Sequence, residues 1–185
     1  MTQQEPAPAR RASALDRLIG AVDRLSQLGG VVAVGLLLAA VLVICQMVFV
    51  RYVLAASAIW QHEFVTNSLI GATFLGAPYV LLTRGHVNVD LVPLYLGPRS
   101  RRLLALLALL ISLAFCTLLA GYGFAFWYEA FANDWRSESV WRPRLWIPYG
   151  AVPLGMGLLA LQCVAEILAL LSGRRSPFGE EPGAP

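Results

Sequence analysis

The chain has 185 residues, of which 58% are hydrophobic and only 14% are charged, and its formal net charge is +3. Soluble domains are closer to half apolar and a quarter charged, so this composition excludes an ordinary soluble enzyme, and the high hydrophobicity excludes a disordered chain. All the basic residues are arginines at the ends of apolar runs, an arrangement that argues against a nucleic-acid interface.

The N-terminal 28 residues divide into two segments. Residues 1–12 are polar and proline-rich, and we predict a disordered cytoplasmic tail there. Residues 13–28 place leucines at helical spacing opposite aspartates and arginines, and Ser13 with Asp16 gives a capping-box start. This pattern predicts an amphipathic arm helix in the membrane interface, with packing on a soluble partner as the alternative.

Four apolar runs follow, each long enough to cross most of a hydrocarbon core of about 30 Å. The predicted spans cover residues 29–50, 64–82, 103–127 and 147–171. No segment between them is long enough to fold alone, so we predict an all-α membrane protein with one four-span domain over residues 29–172. Residues 173–185 are predicted to be a second disordered cytoplasmic tail.

The arginines predict the orientation of this domain. Ten of them lie on the side of the N-terminus if the spans alternate, and four lie on the other side, namely Arg51, Arg136, Arg142 and Arg144. Because basic residues accumulate on the cytoplasmic side, both termini are predicted to be cytoplasmic.

Ionisable residues in and near the spans offer little chemistry. Glu63 starts the second span and Glu166 lies inside the fourth, and neither has an intramembrane arginine to pair with, which argues against a proton relay. The two histidines, His62 and His86, fall on opposite sides of the membrane, which disfavours a haem with two axial histidines. His86 and Asp90 have no third ligand nearby, so we predict no metal, no cofactor and no catalytic residue.

Small residues recur at every fourth position on three of the spans. They are Ser68, Ala72 and Gly76 on the second, Thr117, Gly121 and Ala125 on the third, and Ala151 and Gly155 on the fourth. Such faces let helices approach closely in lipid. Together with Asn67 and Glu166 they predict a docking surface for a second membrane protein, with packing inside the bundle as the alternative.

An ordered set of residues around the second span resembles a known family. The set consists of Arg51, Tyr52, Trp60, Glu63, Gly71, Gly76 and the run RGHVNVDL from Arg84 to Leu91, which contains His86 and Asp90. It resembles the small membrane subunit of tripartite ATP-independent periplasmic (TRAP) transporters, the DctQ-type family, over about residues 15–172. That family often has two acidic residues after the tryptophan, whereas here only Glu63 matches.

The resemblance implies a three-part importer of an organic anion such as a carboxylate. A periplasmic substrate-binding protein would capture the anion, a large membrane subunit would move it with a sodium gradient, and the small subunit would be a scaffold for the large one in the bacterial inner membrane. The candidate interface residues are Trp60, Glu63, Asn67, Ser68, Ala72, Gly76, Arg84, His86, Asp90, Arg142, Arg144 and Glu166.

The tryptophans and arginines of residues 133–146 predict a loop that lies along the periplasmic face. Arg142 and Arg144 would there meet the binding protein or anchor the loop to lipid headgroups. Two other functions stay open, a four-helix membrane anchor of an electron-transfer complex and a self-contained small transporter or channel.

Overall fold

The described part of the computed structural model, residues 14–83 and 98–172, is helical apart from turns and one isolated bridge. The helices are α1 (Ala14–Tyr52), α2 (Gln61–Leu82), α3 (Pro98–Ala132), α4 (Trp146–Tyr149) and α5 (Ala151–Leu171). Four segments of these ranges are long and apolar enough to span a membrane: Asp16–Tyr52, Gln61–Leu82, Arg102–Ala132 and Trp146–Leu171. The predicted all-α, four-span fold class is therefore confirmed. Both predicted tails lie outside the described residues, and so do Arg84, His86 and Asp90 between α2 and α3.

The predicted arm and first span form one continuous helix, α1, so the structure does not show the arm as a separate element. Ile19 of the arm is 8% exposed and packs with Ala165 and Ala169 of α5. The pair Gly29 and Gly30 does not end the helix, although each glycine disfavours it by about 1 kcal/mol relative to alanine. Both glycines lie against α2, and this tertiary contact outweighs their local preference.

Helices α1, α2 and α5 pack on one another, while α3 packs mainly on α5 and on the short α4. The burial of α3 shows that it lies on the outside of the bundle. Only 6% of its most apolar 18-residue stretch is buried, against 28% of the corresponding stretch in the span that contains α5. The bundle is thus a core of three helices with α3 attached to one side.

The closest approach between helices brings α5 against α2. Pro78 is fully buried in α2 and has no N–H, so the carbonyl group of Phe74 has no intrahelical hydrogen bond. Gly155 of α5 lies so close to this carbonyl group that a Cβ atom would overlap it. At the contact between α1 and α2, a Cβ atom at Gly29 would come within 2.6 Å of the carbonyl oxygen of Leu75. Glycine therefore sets the distance between the three core helices.

The predicted fourth span is divided into α4 and α5 at Gly150. Pro153 cannot donate a backbone hydrogen bond to the carbonyl group of Tyr149, which interrupts the helical ladder. The N–H of Gly150 still donates to the carbonyl oxygen of Trp146 at 3.1 Å. The chain therefore continues in nearly the same helical conformation across the break, with Gly150 at φ −62° and ψ −23°.

Candidate functional site

A buried group of polar side chains joins α1 to α5. The Ser26 hydroxyl donates to Oε1 of Gln162 at 2.8 Å, and Nε2 of Gln162 donates to Oδ1 of Asp23 at 3.0 Å. Ser26 and Gln162 are both 0% exposed. Buried amides and hydroxyls are stable in apolar surroundings only when they are hydrogen-bonded. The sequence analysis missed this group because it placed Asp23 on the polar face of the arm.

A second polar contact joins α1 to the start of α2. Nε2 of Gln61 donates to Oε1 of Gln46 at 3.3 Å, and Gln61 is only 4% exposed. The Oε1 atom of Gln61 has no hydrogen-bond partner among the described residues. Gln46 is the one strongly polar side chain in the first predicted span, residues 29–50. Nothing in the sequence indicates that Gln61 is its partner.

Trp60 and Glu63, predicted to contact another subunit, contact this chain's own loop. We call residues 133–145, between α3 and α4, the hairpin. The Ser139 hydroxyl of the hairpin donates to Oε2 of Glu63 at 2.6 Å, and the ring of Trp141 lies 6.2 Å from that of Trp60. These two residues therefore hold the hairpin against the start of α2.

The hairpin has an ordered backbone. Arg136 and Arg144 form an isolated antiparallel bridge, and the N–H of Leu145 donates to the carbonyl oxygen of Trp135 at 2.9 Å. Asp134 accepts from Arg136 at 2.9 Å and lies 3.7 Å from Arg144. The hydrogen bond from Arg136, with the charges of both arginines, lowers the pKa of Asp134 below its usual range. Arg142 is exposed.

Aromatic rings gather at the end of the bundle that carries the hairpin. Nε1 of Trp127 donates to the carbonyl oxygen of Trp146 at 3.0 Å, and the ring of Trp127 stacks on Phe131 at 5.6 Å. The ring of Phe126 lies 5.6 Å from Trp135 of the hairpin and 5.1 Å from Tyr149 of α4. Tryptophan and tyrosine favour the level of the lipid headgroups, so this end marks one membrane surface.

The stripes of small residues have different environments. On α2, Ser68 is 4% exposed and Ala72 is 6% exposed, and Gly76 packs against α1. Gly155 of α5 packs against α2. The stripes on the second and fourth spans thus serve the bundle, which was the alternative stated above. The stripe on α3 is exposed along its length, at Thr117, Gly121 and Ala125.

The remaining candidates lie at different depths. Glu166 is 9% exposed, in the helix turn of α5 after Gln162, so it is buried in this chain rather than displayed to a partner. Asn67 is half-buried and lines a groove of about 520 Å³ that also contacts Arg144. Of the predicted set, the structure thus brings Asn67, Ser68 and Arg144 together at one groove.

These observations define a class of protein, a multi-pass helical membrane protein whose buried polar side chains mainly join its own helices. In the ranges that the structure describes, no group of three or more histidine, cysteine or acidic residues could hold a metal ion. His62, one of the two histidines considered for haem, is exposed at the start of α2.

Comparison with known proteins identifies the family. Residues 40–173 match the family described as "Tripartite ATP-independent periplasmic transporters, DctQ component". The chain belongs to this family, and the predicted resemblance is confirmed. One relative is the C4-dicarboxylate TRAP transporter small permease protein DctQ of Vibrio cholerae serotype O1, which is 28% identical over 148 residues. The match covers 69% of this chain and 64% of that relative, so it spans less than two thirds of the relative's length.

Proposed function

We propose that this chain is the small permease subunit of a TRAP transporter and acts as a membrane scaffold for the large transport subunit. The system would import an organic anion of the carboxylate class, delivered by a periplasmic binding protein and driven by sodium. The observation that carries the proposal is the match of residues 40–173 to the DctQ component. The relative named for C4-dicarboxylates supports the substrate class.

The packing of the helices supports a scaffold rather than a conduit. Substrate sites of secondary transporters use broken helices whose freed backbone groups face the substrate. Here the carbonyl group freed by Pro78 is covered by Gly155, and the buried amide of Gln162 is bonded to Ser26 and Asp23. These two polar sites in the core thus lie at contacts between helices, where a substrate has no access to them.

For the membrane orientation, we propose that the protein lies in the bacterial inner membrane with both termini cytoplasmic. The arginine distribution supports this orientation. The hairpin and the aromatic rings would then lie at the periplasmic surface, where a soluble binding protein arrives.

Reconstitution tests the proposed function directly. We expect proteoliposomes that contain this chain with its large subunit and binding protein to accumulate a C4-dicarboxylate when a sodium gradient is imposed. Omitting this chain should abolish accumulation, because the large subunit would lose its fixed support. Flux through this chain alone would instead show a self-contained transporter, and a haem absorption band in the purified protein would favour the electron-transfer anchor.

The exposed face of α3 is the surface that we propose for the large subunit. It carries Thr117, Gly121 and Ala125, and a Cβ atom at Gly121 would meet nothing within 4 Å in this chain. Small residues let a partner helix approach closely enough for good van der Waals contact in lipid. Because α3 packs mainly on α5 and α4, most of its circumference stays available.

The substitution Gly121→Leu is expected to weaken the complex between this chain and the large transport subunit. The added side chain would hold a partner helix away, with a packing loss of about 1–3 kcal/mol, or about 5-fold to 150-fold in affinity. Co-purification of the large subunit measures this loss, and the thermal stability of the isolated chain should stay unchanged. Gly35→Leu on the exposed face of α1 is the matched control, since its Cβ position is also open. Equal retention of the large subunit by both variants would move the interface away from α3.

A further inference from the structure

We propose that the groove beside Asn67 binds one anionic phospholipid, with the phosphate at Arg144 and an acyl chain in the groove. The groove has a volume of about 520 Å³ and lies between α2, the hairpin and the start of α5. Its apolar lining comes from Leu36, Phe64, Leu75, Pro143, Ile147 and Pro148. The proposal concerns this chain alone and does not rest on the transport role.

Arg144 is the one charged residue among those that line the groove. Arg136 donates to Asp134 through both Nε, at 3.2 Å, and Nη2, at 2.9 Å, so this carboxylate already has a two-point partner. Arg144 stands farther away, at 3.7 Å, and its side chain is 55% exposed. The three residues together carry one net positive charge. A phosphate group, which pairs strongly with guanidinium donors, is the complementary ligand.

The amide of Asn67 lies where the ester groups of a bound phospholipid would lie. Asn67 lies one helical turn, about 6 Å, beyond Glu63, which is bonded to the hairpin. No hydrogen bond joins the amide of Asn67 to another described residue, whereas the hydroxyl of neighbouring Thr66 donates to the carbonyl oxygen of His62. The half-buried amide of Asn67 can therefore donate to a ligand in the groove. The ester carbonyl groups of a phospholipid lie just below its phosphate and accept hydrogen bonds from such an amide.

The apolar space beside the groove offers room for a second acyl chain. A second cavity of about 450 Å³ adjoins the groove and shares Leu75, Ile147 and Ala151 with it. Its remaining lining includes Trp127 and Trp146 of the aromatic end. Each cavity is in the volume range of small-molecule sites. The half-exposed guanidinium group of Arg144 at the edge of an apolar groove matches a phosphate that is joined to acyl chains, so the chemistry favours a lipid.

Native mass spectrometry of the purified full-length chain tests this site. Titration with phosphatidylglycerol is expected to show one lipid bound more tightly than any phosphatidylcholine. Arg144→Gln should weaken phosphatidylglycerol binding about tenfold, because a charge-assisted hydrogen bond is lost, and should leave phosphatidylcholine binding unchanged. Arg142→Gln is the matched control, since Arg142 belongs to the same hairpin and does not line the groove.

A second pair of variants tests the deeper contact. Asn67→Leu should weaken the same lipid several-fold, whereas Thr66→Val, at a neighbouring exposed residue, should not. Two results would show that the groove contacts lipids without selectivity and would overturn the proposal. One is equal binding of phosphatidylglycerol and phosphatidylcholine, and the other is an equal loss of phosphatidylglycerol binding in Arg142→Gln and Arg144→Gln. Absence of the lipid from the chain purified with its large subunit, with a crosslink from residue 67 to that subunit, would show a protein helix in the groove and overturn it as well.

Discussion

Replacing Gly155 with alanine is expected to destabilise the helix bundle by about 1–3 kcal/mol, the typical cost of overpacking a core. A Cβ atom at this position overlaps the carbonyl group of Phe74, and it also comes within 2.8 Å of the Cβ atom of Phe74. Backbone atoms cannot move aside as the end of a flexible side chain can. Helices α2 and α5 must therefore separate, and their other contacts weaken with them.

The thermal unfolding midpoint of the purified chain in detergent measures this effect. Gly157→Ala is the control, because Gly157 lies on the same helix and has nothing within 4 Å of its Cβ position. Alanine favours a helix over glycine by up to about 1 kcal/mol, so the control should unfold at the same temperature or slightly higher. A Gly155→Ala protein as stable as the control would show that the two helices are not held at the distance seen here.

The spans were predictable from the sequence because their signal is local. A run of about twenty apolar residues needs no knowledge of its neighbours, and residues 64–82 and 103–127 fall within α2 and α3 as predicted. The contact between Gly155 and Phe74 was not predictable in this way. Gly155 and Pro78 were both visible as individual residues, but their meeting depends on the register between α2 and α5, and register belongs to the packed bundle.

The same distinction between local pattern and packing applies at the candidate site. Helical spacing predicted that Ser68 and Ala72 share a face, and they do, but spacing cannot say whether that face meets α1 or another protein. The arm was predicted to lie in the interface because it is amphipathic and runs into a membrane span, and its Ile19 packs with Ala165 and Ala169 of α5. In both cases the partner of a predicted face lies more than thirty residues away along the chain.

The buried hydrogen bonds of Gln162 lead to the second large expected effect. Gln162→Leu keeps a side chain of similar size but removes the acceptor for Ser26 and the donor to Asp23. Ser26 is 0% exposed, so water cannot replace the lost acceptor without opening the helix contact. Leaving such a group unsatisfied costs about 1–3 kcal/mol. The unfolding midpoint in detergent should fall accordingly, while Gln27→Leu, at an exposed position beside Ser26, should change it little.

A double-mutant cycle measures the hydrogen bond between Ser26 and Gln162 together with the penalty of the stranded hydroxyl. Hydrogen bonds between helices in membranes average only about 0.6 kcal/mol by such cycles. The coupling of Ser26→Ala with Gln162→Leu should exceed this value, because the alanine removes the hydroxyl group that Gln162→Leu leaves unsatisfied and the double variant therefore loses less than the two single losses added together. In the double variant, stability should recover part of the way toward that of the unaltered chain. If the double variant is instead less stable than Gln162→Leu, the hydroxyl of Ser26 has found another partner, and the contact between α1 and α5 does not depend on this bond.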